Sequence, residues 1–192
     1  METIRAFIAV QIPGQIKQRF GEIQRTLERS RADVRWVKPG NTHVTLQFLG
    51  DTPVDRIDEI ESALSRVGDS HRGFDISIGG LGVFPNERRP RVVWIGVLQG
   101  ADSLAALQSS VSREMKKLGF KPEKRGYSPH ITLGRVKSPN NVEKLMHLLH
   151  AQSEFQAGTF RATEIHLIRS VLSSEGPTYS TLFSAELYKG PL

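Results

Sequence analysis

The chain has 192 residues, 38% hydrophobic and 24% charged, which is apolar enough for a packed core and the right length for one domain of two small lobes. It contains no cysteine, so disulfides, thiolate metal sites and a cysteine nucleophile are excluded, and a reducing compartment, the cytoplasm, is the expected setting. Lys and Arg number 26 against 20 Asp and Glu, a net charge of +6 that favours a polyanionic partner without naming one.

The opening residues carry Glu2 and Arg5 within a short apolar run, unlike a secretion signal, and no stretch reaches the roughly 20 apolar residues of a membrane span. Arg5 to Val10 alternates as a strand, and after Pro13 the residues Ile16, Phe20, Ile23 and Leu27 recur at helical spacing. His43-Val44-Thr45-Leu46 begins a second strand. Thr52-Pro53 then predicts a helix start, with the hydroxyl as cap and proline in the first turn. Phe74 to Val83 reads as a strand. Its Gly79-Gly80-Leu81-Gly82 is not followed by a helix, which argues against a nucleotide-binding loop. Arg91 to Val97 is strand-like, and Leu104, Leu107, Val111, Met115 and Leu118 mark a helix. His130-Ile131-Thr132-Leu133, a Ser138-Pro139 helix start, a strand over Phe160 to Ile168 and a closing run from Tyr179 to Leu187 complete the order.

This series repeats itself. Arg5 and Arg91 stand 86 positions apart, the two His-x-Thr-Leu tetrapeptides 87, and the two hydroxyl-Pro pairs 86. The repeat spans about 1–86 and 87–172, with a last strand over 177–188. We therefore expect an α+β fold: one bilobal unit of two pseudo-symmetric lobes, mostly antiparallel sheets flanked by helices, with a central cleft. Because strands alternate with helices, a parallel βαβ sheet stands as the rival architecture.

The chemistry lies in the two tetrapeptides. Side chains at i and i+2 of a strand share a face about 6.6 Å apart, so His43 projects with Thr45 and His130 with Thr132, while Val44, Leu46, Ile131 and Leu133 point into the opposite layer. If the seam between repeats joins these faces, two imidazoles and two hydroxyls converge. That set suits a phosphodiester: a neutral imidazole takes a proton from water, a protonated one gives a proton to the departing oxygen, and hydroxyls bind the non-bridging oxygens. No cofactor is required and no metal is expected. His-x-Thr offers one good ligand per strand, and neither a His-Glu-x-x-His helix nor an acidic calcium loop is present; a Gly-x-Ser-x-Gly elbow is also missing.

Together with Arg5-Ala6-Phe7-Ile8-Ala9, Pro90-Arg91-Val92-Val93-Trp94, Ser128-Pro129 through Arg135, Ser170-Val171-Leu172 and Gly176-Pro177-Thr178-Tyr179, these motifs make the chain resemble the 2H phosphoesterases. Within them it resembles the RNA 2′,3′-cyclic phosphodiesterases, also called 2′-5′ RNA ligases. The resemblance implies a bilobal fold around a basic cleft and opening of a 2′,3′-cyclic phosphate at RNA or tRNA ends to a 2′-phosphate. It further implies ATP-independent 2′-5′ joining as the related reaction. It makes His43 the proton donor, His130 the proton acceptor, and Arg135 a phosphate or RNA contact beside Thr45 and Thr132. Tyr127-Ser128 stands where the family has a more apolar neighbour. No membrane and no obligatory protein partner are implied.

Arg135 lies five residues after His130, so a regular strand would turn it to the other face; a bulge is needed. Arg88-Arg89-Pro90-Arg91 and Lys121 to Arg125 are candidate cleft flanks. Trp36, Phe48 and Tyr179 are candidates to stack a terminal base, although an aromatic in a strand is more often core. His71, His147, His150 and His166 are expected at the surface. Two other functions share the same motifs: a nucleotide or RNA binding module that does not turn over, and a phosphodiesterase of a small cyclic nucleotide-sugar phosphate.

Overall fold

A computed structural model describes residues 2–122, 126–174 and 176–188. The first sequence half forms β1 (Thr3–Gln11), α1 (Gly14–Glu28), β2 (Val34–Trp36), β3 (His43–Pro53), α2 (Ile57–Ser70) and β4 (Phe74–Phe84). The second forms β5 (Val92–Gln99), α3 (Ala101–Lys117), β6 (His130–Val136), α4 (Val142–Ala151), β7 (Gln156–Ala162), β8 (Glu164–Ser173) and β9 (Gly176–Glu186). The helical stripes behave as their spacing demands: Phe20, Leu27, Leu104, Leu107, Val111 and Met115 are all fully buried.

Every strand ladder is antiparallel, in two sheets ordered β3-β1-β8-β9 and β2-β6-β5-β4-β7. The parallel rival is therefore overturned. The sheets do not follow the sequence halves. β4 leaves the first half to pair with β5, and β8 leaves the second to pair with β1, so each sheet contains strands from both. The helices cross over as well: α1 packs with α4 and β7, while α3 packs with α2 and β3. One continuous apolar core runs between the layers, from Ile8 and Leu46 of one sheet to Ile95 and Leu133 of the other.

Three local expectations are corrected. The predicted strand over Phe160 to Ile168 is two strands, the end of β7 and the start of β8, which run to different sheets. Thr52 does not cap a helix; it is buried at the end of β3, where its hydroxyl donates to the Gly50 carbonyl. Ser138 accepts from the Asn140 amide in a turn, and α4 begins only after Asn141 in a left-handed conformation at φ 55°. In both places the hydroxyl bonds to the backbone two residues away instead of capping a helix.

The same irregularity occurs in the two motif strands. Ala9 pairs with Thr45 and Ile8 with Gln47, leaving Leu46 as an extra residue; Trp94 pairs with Thr132 and Val93 with Gly134, leaving Leu133 extra. These are β-bulges, and each turns the following residues over by one position. Arg135 is thereby brought to the face of His130 and Thr132. At the matching place in β3 the residue is Phe48. Gly134, next to the second bulge, lets β2 pack closely, because a Cβ there would stand 2.6 Å from Val34 Cγ1 and 2.8 Å from Trp36 Cε3. Gly134→Ala is expected to cost about 1–3 kcal/mol through this overpacking, read as a lower urea midpoint; an unchanged midpoint would show that β2 gives way freely.

Candidate active site

Between the sheets lies a cleft of about 610 Å³ lined by His43, Thr45, Thr132 and Arg135. The strands that carry the two motifs, β3 and β6, touch across the seam. His130 is not part of this cavity wall. It stands two residues from Thr132 on the same face of β6, at the edge of the cleft and half-buried.

Both imidazoles are held by one device. His43 Nδ1 lies 3.0 Å from the carbonyl oxygen of Asn41 and His130 Nδ1 lies 2.7 Å from that of Ser128, each two residues upstream. A carbonyl only accepts, so Nδ1 carries the proton in both rings and the neutral form presents a bare Nε2. An aromatic ring completes each clamp. Phe7 stacks on His43 with centroids 4.5 Å apart and Tyr179 meets it edge-on at 5.4 Å; Phe84 meets His130 edge-on at 5.0 Å.

The scaffolds of the two motifs are tied to each other. Gln24 Nε2 of α1 donates to the carbonyl of the bulged Leu133 at 2.9 Å, which also accepts from the Val37 amide at 2.8 Å. In return the Tyr127 hydroxyl donates to the Thr45 carbonyl at 3.2 Å. Burial raises the phenol's proton affinity, so Tyr127 remains a donor. Asn41 Nδ2 donates to the Pro177 carbonyl at 2.7 Å, fixing the turn whose carbonyl orients His43.

The electrostatics of the two rings differ in their surroundings. Burial pushes the pKa of His43 down to about 4, opposed by its bond to Asn41 and reinforced by the Lys17 ammonium. The cleft wall contains Arg5, Arg35, Lys38, Arg135 and Lys137 and, among the described residues, no carboxylate. The described wall is therefore cationic. Among the described residues no group of three or more His, Asp or Glu could hold a metal ion, and no helix is long and apolar enough to cross a membrane.

Trp36, Phe48 and Tyr179 all line the cleft, and Phe48 is 58% exposed, so it is a cleft aromatic and not core. Arg88, Arg89 and Arg91 lie on the exposed β4–β5 connection outside the cleft wall. Of the basic segment Lys121 to Arg125, residues 123–125 lie outside the described residues. His166 is not a surface residue: it is 7% exposed on β8, with Nδ1 2.9 Å from the Ser184 hydroxyl. His71 is half-buried against the Ser110 hydroxyl, while His150 is exposed and meets Glu87. Lys17 and Gln24 are site residues that sequence reasoning does not single out, and Tyr127 enters it only as a departure from the family pattern. Gln24 has a signal, being the one polar residue on the apolar stripe of α1; Lys17 has none.

The sequence pattern of the 2′-5′ RNA ligase superfamily matches residues 12–172, and the chain belongs to that superfamily. It is 40% identical over 179 residues to the RNA 2′,3′-cyclic phosphodiesterase of Methanothermobacter thermautotrophicus, covering 93% of this chain and 96% of that one. It is 35% identical over 191 residues to the protein of the same name from Aquifex aeolicus, covering 99% and 100%. TT0787 of Thermus thermophilus has the same fold, with a TM-score of 0.82 at 25% identity over 98% of this chain and 100% of that one.

The depressed His43 has a consequence for stability. An unfolded imidazole takes its proton near pH 6.5, whereas the buried ring refuses it until about pH 4. The unfolded state thus binds more protons across that interval, and acidification from 6.5 to 4 removes about 3 kcal/mol on this account. His71 and His166, also lowered by burial, add to the slope in any variant that keeps them. Urea unfolding at stepped pH should show a shallower acid loss in His43→Asn than in the wild type; parallel curves would mean that the ring is solvated.

Proposed function

We propose that this protein is an RNA 2′,3′-cyclic phosphodiesterase that opens the cyclic phosphate at an RNA or tRNA end to a 2′-phosphate by two-histidine acid/base chemistry, without a metal. The observation that carries this reading is the paired construction of the motifs: two imidazoles anchored through Nδ1 to the carbonyl two residues back, each beside a threonine that lines one cationic cleft. The family of its relatives and their names support it.

In the proposed reaction, His130 Nε2 removes a proton from water as the water oxygen bonds to phosphorus. The bond from phosphorus to the 3′ oxygen breaks, and His43 Nε2 delivers a proton to that oxygen. Thr45 and Thr132 hydroxyls donate to the non-bridging oxygens, where charge accumulates, and Arg135 neutralises the product phosphate. Before substrate arrives His43 is neutral because it is buried beside Lys17; the negative phosphodiester favours the imidazolium, so the acid acquires its proton with the substrate. A ribose 5′-hydroxyl in place of water gives a 2′-5′ linkage by the same steps, with no nucleotide cofactor. The cytoplasm is the compartment this reading assigns.

Incubating a short RNA bearing a 2′,3′-cyclic phosphate with the protein in EDTA should release a 2′-phosphate. His43→Ala and His130→Ala should each lower kcat by roughly 10²- to 10⁴-fold, the usual worth of a general acid or base, with unfolding midpoints retained at pH 7. Thr45→Val and Thr132→Val should lower kcat with little change in KM. A 3′-phosphate product would reverse the roles of the two histidines, and saturable binding without product would make the protein a binding module.

A further inference from the structure

A second cavity, of about 240 Å³, adjoins the cleft at His43. The two share Asn41, Thr42, His43 and Tyr179, so the imidazole forms part of both walls. The second cavity is also lined by Lys17 of α1, Gln11 of β1 and Thr181 of β9, and among the described residues no carboxylate lines it.

Its hydrogen-bonding inventory is weighted toward donors. Lys17 Nζ spends one of its three protons on the Gly40 carbonyl at 2.9 Å. Gln11 Nε2 donates to Thr181 Oγ1 at 2.9 Å, which leaves the threonine proton and the second amide proton free. An ammonium, a hydroxyl and an amide therefore face a small polar space with nothing negative in its described wall. Burial lowers the proton affinity of Lys17, a strain that an anion beside it relieves. A half-buried ammonium whose close partner is a backbone carbonyl is half of a charge pair.

We propose that this cavity receives the phosphodiester on the 5′ side of the terminal nucleoside, so that the enzyme engages an RNA strand through two phosphates and not one. The inference rests on the cyclic phosphodiesterase reading, and follows from the imidazole that the two cavities share. His43 faces the leaving 3′ oxygen, which belongs to the ribose of the terminal nucleoside. The 5′ carbon of that same ribose carries the next phosphate of the strand. The ribose thus lies against His43 and Tyr179, the cyclic phosphate sits toward Thr45 and Thr132, and the 5′ phosphate passes the imidazole to reach Lys17. Lys17 and Thr181 donate to its non-bridging oxygens.

Three substrates test this: a 2′,3′-cyclic mononucleotide with a free 5′-hydroxyl, the same compound with a 5′-phosphate, and a dinucleotide ending in a 2′,3′-cyclic phosphate. The wild type should show a KM roughly tenfold lower for the two compounds with a phosphate on the 5′ side, the worth of one charge-assisted hydrogen bond. Lys17→Met should bring the three KM values together, and Lys17→Arg should keep them apart. A merely structural Lys17, holding the Gly40 turn, would alter all three alike and preserve the ratio; that result, or a wild type without preference, overturns the inference. A preference for the 5′-monophosphate over the dinucleotide would overturn the strand in favour of a phosphorylated mononucleotide. Calorimetry with a nucleoside 3′,5′-bisphosphate against the nucleoside 3′-phosphate reads the same subsite without turnover. Should none of the three substrates be hydrolysed, the enzyme reading falls, and the subsite stands or falls on whether Lys17→Met abolishes the bisphosphate advantage.

Discussion

The hydrogen bond from each Nδ1 to the carbonyl two residues upstream is the interaction on which the rest of this site depends. It fixes the tautomer, and with it which nitrogen is available to a substrate. It also converts backbone position into chemistry: the turn at Asn41 is held by its side-chain bond to Pro177, so a strand at the end of the chain indirectly sets the ring of His43. The carbonyl of Ser128, before Pro129, serves His130 in the same way. Without these two bonds the threonines and cations would still form an anion site, but the imidazoles would be free to turn.

The bulges at Leu46 and Leu133 provide the second constraint. A strand alternates faces without exception, so a third residue on the His-x-Thr face five positions on requires one extra residue in the ladder. The fold supplies it twice, at equivalent places, and then departs from symmetry in what it delivers. In β6 the delivered residue is Arg135; in β3 it is Phe48, exposed and angled toward Phe7. The same contrast runs through the imidazoles. His43 sits under Phe7 and Tyr179 beside Lys17, while His130 stands at the cleft edge against Phe84. Duplicate scaffolding with different surroundings is how two like side chains come to stand in unlike environments.

Much of this was legible along the chain. The apolar stripes of α1 and α3, the alternation around each His-x-Thr, the repeat near 86 residues and the need for a bulge before Arg135 all follow from periods of 3.6 and 2. Other features were not. The break between β7 and β8 falls inside a single apolar run, and nothing local marks where one strand ends and the next changes sheet. His166 lies in a strand whose buried face includes Ile168, and its burial depends on Ser184 and the neighbouring strand rather than on its own segment. Thr52 and Ser138 have the composition of helix caps, but each hydroxyl bonds to a backbone group two residues away, within β3 for Thr52 and in a turn for Ser138.

The sequence by itself determined most of the elements, the shared face of His and Thr in each motif strand and the family, since these are written in short-range pattern and in motifs that recur in register. Tertiary structure alone decided that β4 and β8 change places between the sheets, that Gln24 and Tyr127 brace the opposite motif, and that Lys17 stands next to His43. Each of these joins residues far apart in the chain, and the choice among possible strand partners is made by the shared core they bury, not by any one segment. The proton affinity of His43 belongs to the same class, because desolvation is a property of what surrounds a ring and not of the ring's own strand.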